Sequence, residues 1–138
     1  MAFLPINYSL LNSRQQENYN FHKVSSVLAD YGFTTMRLSD DWQGTDFIAQ
    51  HIDGTFLKVQ LKGRLSLGKK YMGKNIWICF RTMSGCCLYP HDKAVEAIQA
   101  ITPYQHTESW LSGGAYNFRN PSGALMRFIQ ENEIKNKG

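Results

Sequence analysis

Residues 45–62 constrain the fold more than any other part of the chain. Thr45–His51 and Thr55–Leu61 are runs of strand-forming residues separated by Ile52-Asp53-Gly54, the pattern of a β-hairpin. In the second run Leu57, Val59 and Leu61 alternate with Phe56, Lys58, Gln60 and Lys62. Successive side chains of a strand point to opposite faces, so the first set belongs in a core and Gln60 and Lys62 share the other face. A two-residue turn at Asp53-Gly54 would set position 46 opposite 61. A three-residue loop with Gly54 in the left-handed conformation sets it opposite 60, and the glycine stands where the second arrangement needs it. Asp46 is then a cross-strand neighbour of Gln60, about 5 Å away at Cβ, and Asp46, Gln60 and Lys62 converge.

The flanking segments extend the pattern. Phe21, Val24, Leu28 and Tyr31 recur at helical spacing and predict a helix from Arg14 to Tyr31. Ser13 and Gln16 form a capping box, and Gly32 is placed to end the helix. Stepping back from Phe21, Glu17 continues the inward stripe. A carboxylate there costs desolvation unless a cation meets it, and a divalent ion shared with Asp46 would meet it. Further strands are expected at Thr34–Leu38, Ile76–Thr82 and Cys86–Tyr89, followed by a helix from His91 to Ile101, a short strand at Ala115–Phe118 and a helix over Ser122–Glu131. Glu131–Gly138 is polar and expected to fray. This order predicts an α/β sandwich with a central mixed β-sheet, and the 138 residues form one domain, 1–138.

Several function classes are excluded. No apolar run approaches the ~20 residues of a membrane helix. Met1–Leu11 lacks the basic and apolar regions of a signal peptide, so a cytoplasmic protein with no membrane partner is the expectation. Cys79, Cys86 and Cys87 are odd in number and two are adjacent, which suits neither a disulfide framework nor a zinc site. The scattered histidines offer no Ser/His/Asp set. Gly113-Gly114 is too isolated to be a phosphate loop, and Trp110, Tyr116 and Phe118 read as packing.

Charge is the positive signal. The 15 basic residues outnumber the 11 acidic ones, and six of them (Lys58, Lys62, Arg64, Lys69, Lys70, Lys74) lie in 58–74, which contains no acid. Asp40, Asp41, Asp46 and Asp53 lie just upstream. Acidic residues beside a basic stretch suit a metal-dependent enzyme acting on phosphates.

The succession of helix, strand, Gly44-Thr45-Asp46 and Gln60-Leu61-Lys62 resembles the PD-(D/E)XK nuclease superfamily, over residues 14–90. The resemblance implies a three-layer α/β/α sandwich with a restriction-endonuclease-like core. It implies that Asp46 and Gln60 bind Mg²⁺, that Glu17 assists, and that Lys62 is the motif lysine. Gln60 departs from the commoner Glu or Asp, as it does in branches resembling Mrr-type restriction enzymes, and lowers the charge of the metal site by one.

The activity so implied is a Mg²⁺-dependent DNA endonuclease of restriction, junction-resolving, repair or homing type, with Mn²⁺ able to substitute. Mg²⁺ on hard oxygen ligands neutralises the charge of phosphodiester hydrolysis. Asp46 would be the main ligand, joined by Gln60, Glu17 and the Leu61 carbonyl, with Asp41 in reserve. Lys62 would orient the attacking water or stabilise the transition state. Lys58, Arg64, Lys69, Lys70 and Lys74 would track the DNA backbone, with Tyr71 stacking on a base. Cutting both strands of a duplex calls for a homodimer or higher assembly. The second reading is a catalytically silent nucleic-acid-binding module on the same fold; the third is an RNA-directed nuclease or a small-molecule enzyme.

Overall fold

The computed structural model describes residues 1–137, the side chain of Asp41 apart. The chain opens with helix α1 (Ser13–Ala29), capped by Asn12 rather than by Ser13. Asn12 Oδ1 accepts from the Gln15 N–H and Gln15 Oε1 accepts from the Asn12 N–H, both at 2.9 Å, so the capping box forms one residue earlier than the Ser13–Gln16 pairing. Phe21, Val24, Val27 and Leu28 are buried. Each contributes about 1.5–3 kcal/mol, enough to seat the helix although its first turns are polar. Glu17 is exposed and Tyr31 is 39% exposed, which corrects the longer inward stripe. The stripe begins at Phe21, and the turns before it line a cleft rather than the core.

Strands β1 (Phe33–Trp42), β2 (Thr45–His51) and β3 (Phe56–Lys62) form an antiparallel meander. The three-residue strand β4 (Ser66–Gly68) and a single helical turn at Lys69–Tyr71 lead into β5 (Ile76–Arg81), which runs parallel to β3. Strand β6 (Gly85–Pro90) returns antiparallel. Helix α2 (His91–Gln99), the short α3 (Glu108–Gly113), β7 (Ala115–Asn117), α4 (Gly123–Glu131) and β8 (Glu133–Lys135) complete the chain. The main sheet has the order β1-β2-β3-β5-β6-β8, and β4 pairs with β7 in a separate ribbon.

The pleat divides the core in two. Phe47, Ala49, Leu57, Val59, Cys79, Cys86 and Leu88 pack under α1, whereas Ile76, Ile78, Phe80, Cys87 and Tyr89 face α2, α4 and the ribbon. The molecule is a three-layer α/β/α sandwich around a mixed sheet; the sandwich and the mixed sheet follow the order of elements. Cys86 and Cys87 point to opposite faces and all three thiols are buried. Burial first, then the neighbouring Cys86 and Glu133, pushes the Cys87 thiol up to about 12, so it stays protonated.

Within the expected frayed tail, Glu133–Lys135 instead forms a strand. Residues 133–135 pair with Gly85–Cys87, and Tyr31 Oη donates to the Lys135 carbonyl at 2.7 Å. Gly85 is required here, because a Cβ on it would sit 1.9 Å from the Ile134 oxygen. No helix of the described residues is long and apolar enough to cross a membrane.

Candidate active site

The hairpin adopts the three-residue loop. His51 N–H donates to the Thr55 carbonyl at 2.8 Å, Gly54 has φ +94°, and Asp53 Oδ1 accepts from the Thr55 N–H at 2.8 Å. That hydrogen bond, aided by His51, holds the exposed Asp53 carboxyl below its ordinary range. Pairing runs from Gln50↔Phe56 to Phe47↔Val59, and one step further brings Asp46 opposite Gln60. The ladder stops there. Asp46 Oδ2 accepts from the Leu61 N–H at 2.8 Å, so the carboxylate takes the place of a backbone acceptor and the two strands part. On its other side β3 stays paired with β5 through Lys62↔Phe80, which keeps Gln60-Leu61-Lys62 rigid.

Strand β1 parts from β2 at the same level. Its register breaks between Arg37 and Trp42, and bulges of this kind re-aim side chains beside functional sites. Gln43 and Gly44, both with positive φ, then make the tight turn into β2. The three diverging strand ends and the first turns of α1 enclose a cleft of about 670 Å³. Glu17, Asp46, Leu61 and Lys62 all line it. So do Arg14 and Arg37, which were not expected as site residues, and Asp40, which was expected only as part of the acidic cluster. No local pattern marks Arg14 and Arg37, since the fold alone brings the start of α1 against β1. Arg37 is hydrogen-bonded to Asn18 and lies 5.3 Å from the Phe21 ring centroid.

Four of the expected residues therefore meet, with two adjustments. Glu17 reaches the cleft from an exposed position and not from a buried one, so the desolvation argument for a cation beside it falls away. Gln60 is half-buried on the face shared with Asp46 and Lys62, does not line the cleft wall, and makes no side-chain hydrogen bond among the described residues. The Asp41 side chain lies outside the described residues.

The donors at the strand fork are carboxylates, one amide and a backbone carbonyl. These are hard oxygens of the type that holds Mg²⁺ or Mn²⁺, with no imidazole or thiolate among them. Among the described residues no three His, Cys, Asp or Glu side chains group around one point. A cation here would depend on the neutral donors as well as on Asp46 and Glu17.

The basic segment divides. Arg64, Lys69, Lys70 and Lys74 are exposed and none is ion-paired among the described residues. Lys58 is half-buried and donates to the Lys74 carbonyl at 2.6 Å, so its ammonium braces the 72–75 turn. Tyr71 is 2% exposed and cannot stack on a base. Its ring packs against Gly44 and Gly68, where a Cβ would stand 3.0–3.1 Å away, and lies edge-on to His91. Buried His91 accepts from the Gly68 N–H at Nε2 (3.0 Å) and contacts Asp92 through Nδ1 (2.9 Å), which places the ring proton on Nδ1. Asp92 in turn accepts from the Gly73 N–H at 2.9 Å. Burial holds the imidazole below its ordinary pKa and outweighs the opposing pull of Asp92.

By architecture the chain is an α/β/α protein with an oxygen-donor cleft at a forked strand pair. No family model and no curated protein matches the sequence. Among solved structures it is similar to a bacterial homing endonuclease, I-Ssp6803I, with 10% identity and a TM-score of 0.47, over 88% of this chain and 94% of that chain. A likeness of that size leaves the function to be argued from the cleft.

Proposed function

We propose that this protein is a divalent-metal-dependent DNA endonuclease. The observation that carries the proposal is the meeting of Asp46 and Lys62, on one sheet face and in one cleft, with Glu17 across from them. Asp46, Glu17, Gln60 and the Leu61 carbonyl would hold Mg²⁺ or Mn²⁺. Such an ion, when bound, supplies charge neutralisation for a phosphoryl group and a water of lowered pKa.

The chain's own groups do the rest. Leu61 N–H fixes one carboxylate oxygen of Asp46 and so orients the carboxylate at the cleft wall. Lys62 rises from a rigid strand, so its ammonium can donate to the attacking water or to a phosphoryl oxygen as negative charge builds there. Arg14 and Arg37 on the opposite wall supply positive charge for the strand being cut. The water gives up a proton to solvent as its oxygen forms a bond to phosphorus, the bond to the leaving sugar oxygen breaks, and that oxygen takes up a proton from solvent. Arg64, Lys69, Lys70 and Lys74 would track the flanking backbone, and a homodimer would present one cleft to each strand.

Gln60 favours a second reading, a nucleic-acid-binding module without hydrolytic activity, because the neutral amide removes a charge from the metal site. Supercoiled plasmid incubated with Mg²⁺ or Mn²⁺ separates the two. The proposal expects nicking by the wild type and loss of about 100-fold or more in Asp46→Ala and Lys62→Ala. Intact plasmid with every protein, alongside retained DNA binding, selects the silent module. RNA competing better than DNA for binding would move the substrate class to RNA.

A further inference from the structure

Next to the cleft lies a second cavity of about 390 Å³, between residues 66–71 and 113–117. Among the described residues only Lys62 lines both. The two differ in charge. The cleft sets Glu17, Asp40 and Asp46 against Arg14, Arg37 and Lys62. The second cavity has Lys62, Lys69 and Lys70 in its wall and no acidic residue.

Its cations are gathered on aromatic faces. The ammonium groups of Lys62 and Lys70 stand 5.3 and 5.2 Å from the Tyr71 ring centroid, and that of Lys69 stands 5.5 Å from the Trp110 centroid. Neither Lys69 nor Lys70 meets a carboxylate among the described residues. The rings orient the lysines but leave their charges uncompensated. Asn117 adds a neutral group: its carboxamide is anchored on Ser66 Oγ at 2.7 Å by one arm, and the other arm is available to a ligand.

The walls are tied to each other and to the core. Strands β4 and β7 pair across the cavity, Lys69 N–H donates to the Gly114 carbonyl at 2.7 Å, and Gly68 is held by buried His91. Gly113 and Gly114 keep the opposite wall low, and a Cβ on Gly113 would meet nothing within 4 Å. A glycine pair that looks isolated in sequence therefore faces lysines in space. A preorganised, acid-free cavity with three cations suits a phosphate group, and its volume also admits the attached sugar.

We infer that this cavity seats a backbone phosphate of the nucleic-acid strand, adjacent to the phosphate held at Asp46, with Lys62 between the two. The choice of a nucleic acid rests on the proposed function; the affinity for phosphate does not.

The test is an amide chemical-shift titration of the full chain without divalent cation, first with inorganic phosphate and then with a short oligodeoxynucleotide. Phosphate is expected to shift the amides of Lys69, Lys70, Gly113 and Gly114. The oligonucleotide is expected to shift these and the cleft amides and to bind at least ten times more tightly. A Lys69→Gln/Lys70→Gln double variant, altered only at exposed side chains, should keep the remaining spectrum, lose the phosphate response and lower the salt slope of DNA binding by about 1 or more. Silent Gly113 and Gly114 amides with both probes, or an unchanged slope in the double variant, overturns the inference. A response to inorganic phosphate alone would make this a free-phosphate site and overturns the backbone assignment. No reading requires cleavage, so a protein that binds this way but never cuts DNA would refute only the hydrolytic proposal.

Discussion

Asp46 has two tasks that a single substitution separates. Its Oδ2 stands in for a ladder acceptor toward Leu61, and its negative charge would hold the metal. Asp46→Asn keeps an acceptor for the Leu61 N–H and removes the charge. Cleavage is therefore expected to fall by about 100-fold or more, while urea unfolding shows a change within about 1 kcal/mol. A large loss of stability with intact activity would give Asp46 the structural task alone. Gln60 permits the opposite manipulation. Gln60→Glu restores the missing charge opposite Asp46, and cation sites tune affinity by ligand charge. The Mg²⁺ concentration at half-maximal cleavage is expected to fall several-fold. An unchanged Mg²⁺ dependence would place residue 60 outside the metal shell, in line with its position off the cleft wall.

At the scale of elements, the connection that carries Lys69, Lys70 and Tyr71 is clamped at two points, through His91 to Gly68 and through Asp92 to Gly73. The clamp needs neutral His91, because protonated Nε2 cannot accept from Gly68. Its pKa lies below the ordinary 6.5 in the folded protein, so the unfolded chain binds more protons near that value and stability rises with pH. His91 therefore contributes fully above about pH 6.5, and the contribution is lost as pH falls through the lower folded value. Urea unfolding between about pH 7.5 and 5, an interval spanning that value, should show wild-type stability declining and a flatter profile in His91→Gln. Equal slopes would remove His91 as the source. Asp92 acts lower: burial opposes its ionisation, but the bonds from His91 and Gly73 prevail and hold its pKa below 3.8, so its contribution is lost only in stronger acid.

The same scale separates what the sequence reveals from what it hides. The hairpin register was legible because alternation over residues 56–62 and one glycine at position 54 are local signals, and they bring Asp46 opposite Gln60. Tyr71 was not legible. In a run of lysines and glycines an aromatic ring looks exposed, and its burial depends on Gly44 and Gly68, both without a Cβ to block it. Strand β8 was hidden for a related reason, since Glu133-Ile134-Lys135 has no apolar run and pairs only because Gly85 lets a backbone approach. Gly85→Ala is expected to part β8 from β6 and cost about 1–3 kcal/mol. Faster amide exchange at residues 133–135, with residues 46 and 61 unaffected, would report it. Protection retained at β8 would mean that the sheet edge can shift to admit a methyl group.

Across the whole molecule, each chain supplies one fork and one copy of Asp46, Gln60 and Lys62. A single centre breaks one strand, and turning round to reach the antiparallel second strand requires release and rebinding. Two chains related by a twofold axis match the symmetry of a duplex and place one cleft on each strand. If the proposed endonuclease acts as such a dimer, product ratio should depend on protein concentration. Dilute protein should convert supercoiled plasmid to nicked circles, and raising the concentration should make linear DNA appear without a lag, as light scattering reports mass passing from one chain to two. Linear product that follows nicking with the same lag at every concentration, from a species that scatters as a single chain, would mean two independent cuts by monomers. In that case the net charge of +4 and the basic surface beside the cleft would have to hold the duplex between cuts. Raising the salt concentration would then suppress the second cut before the first, because release between cuts is the step governed by screened phosphate contacts.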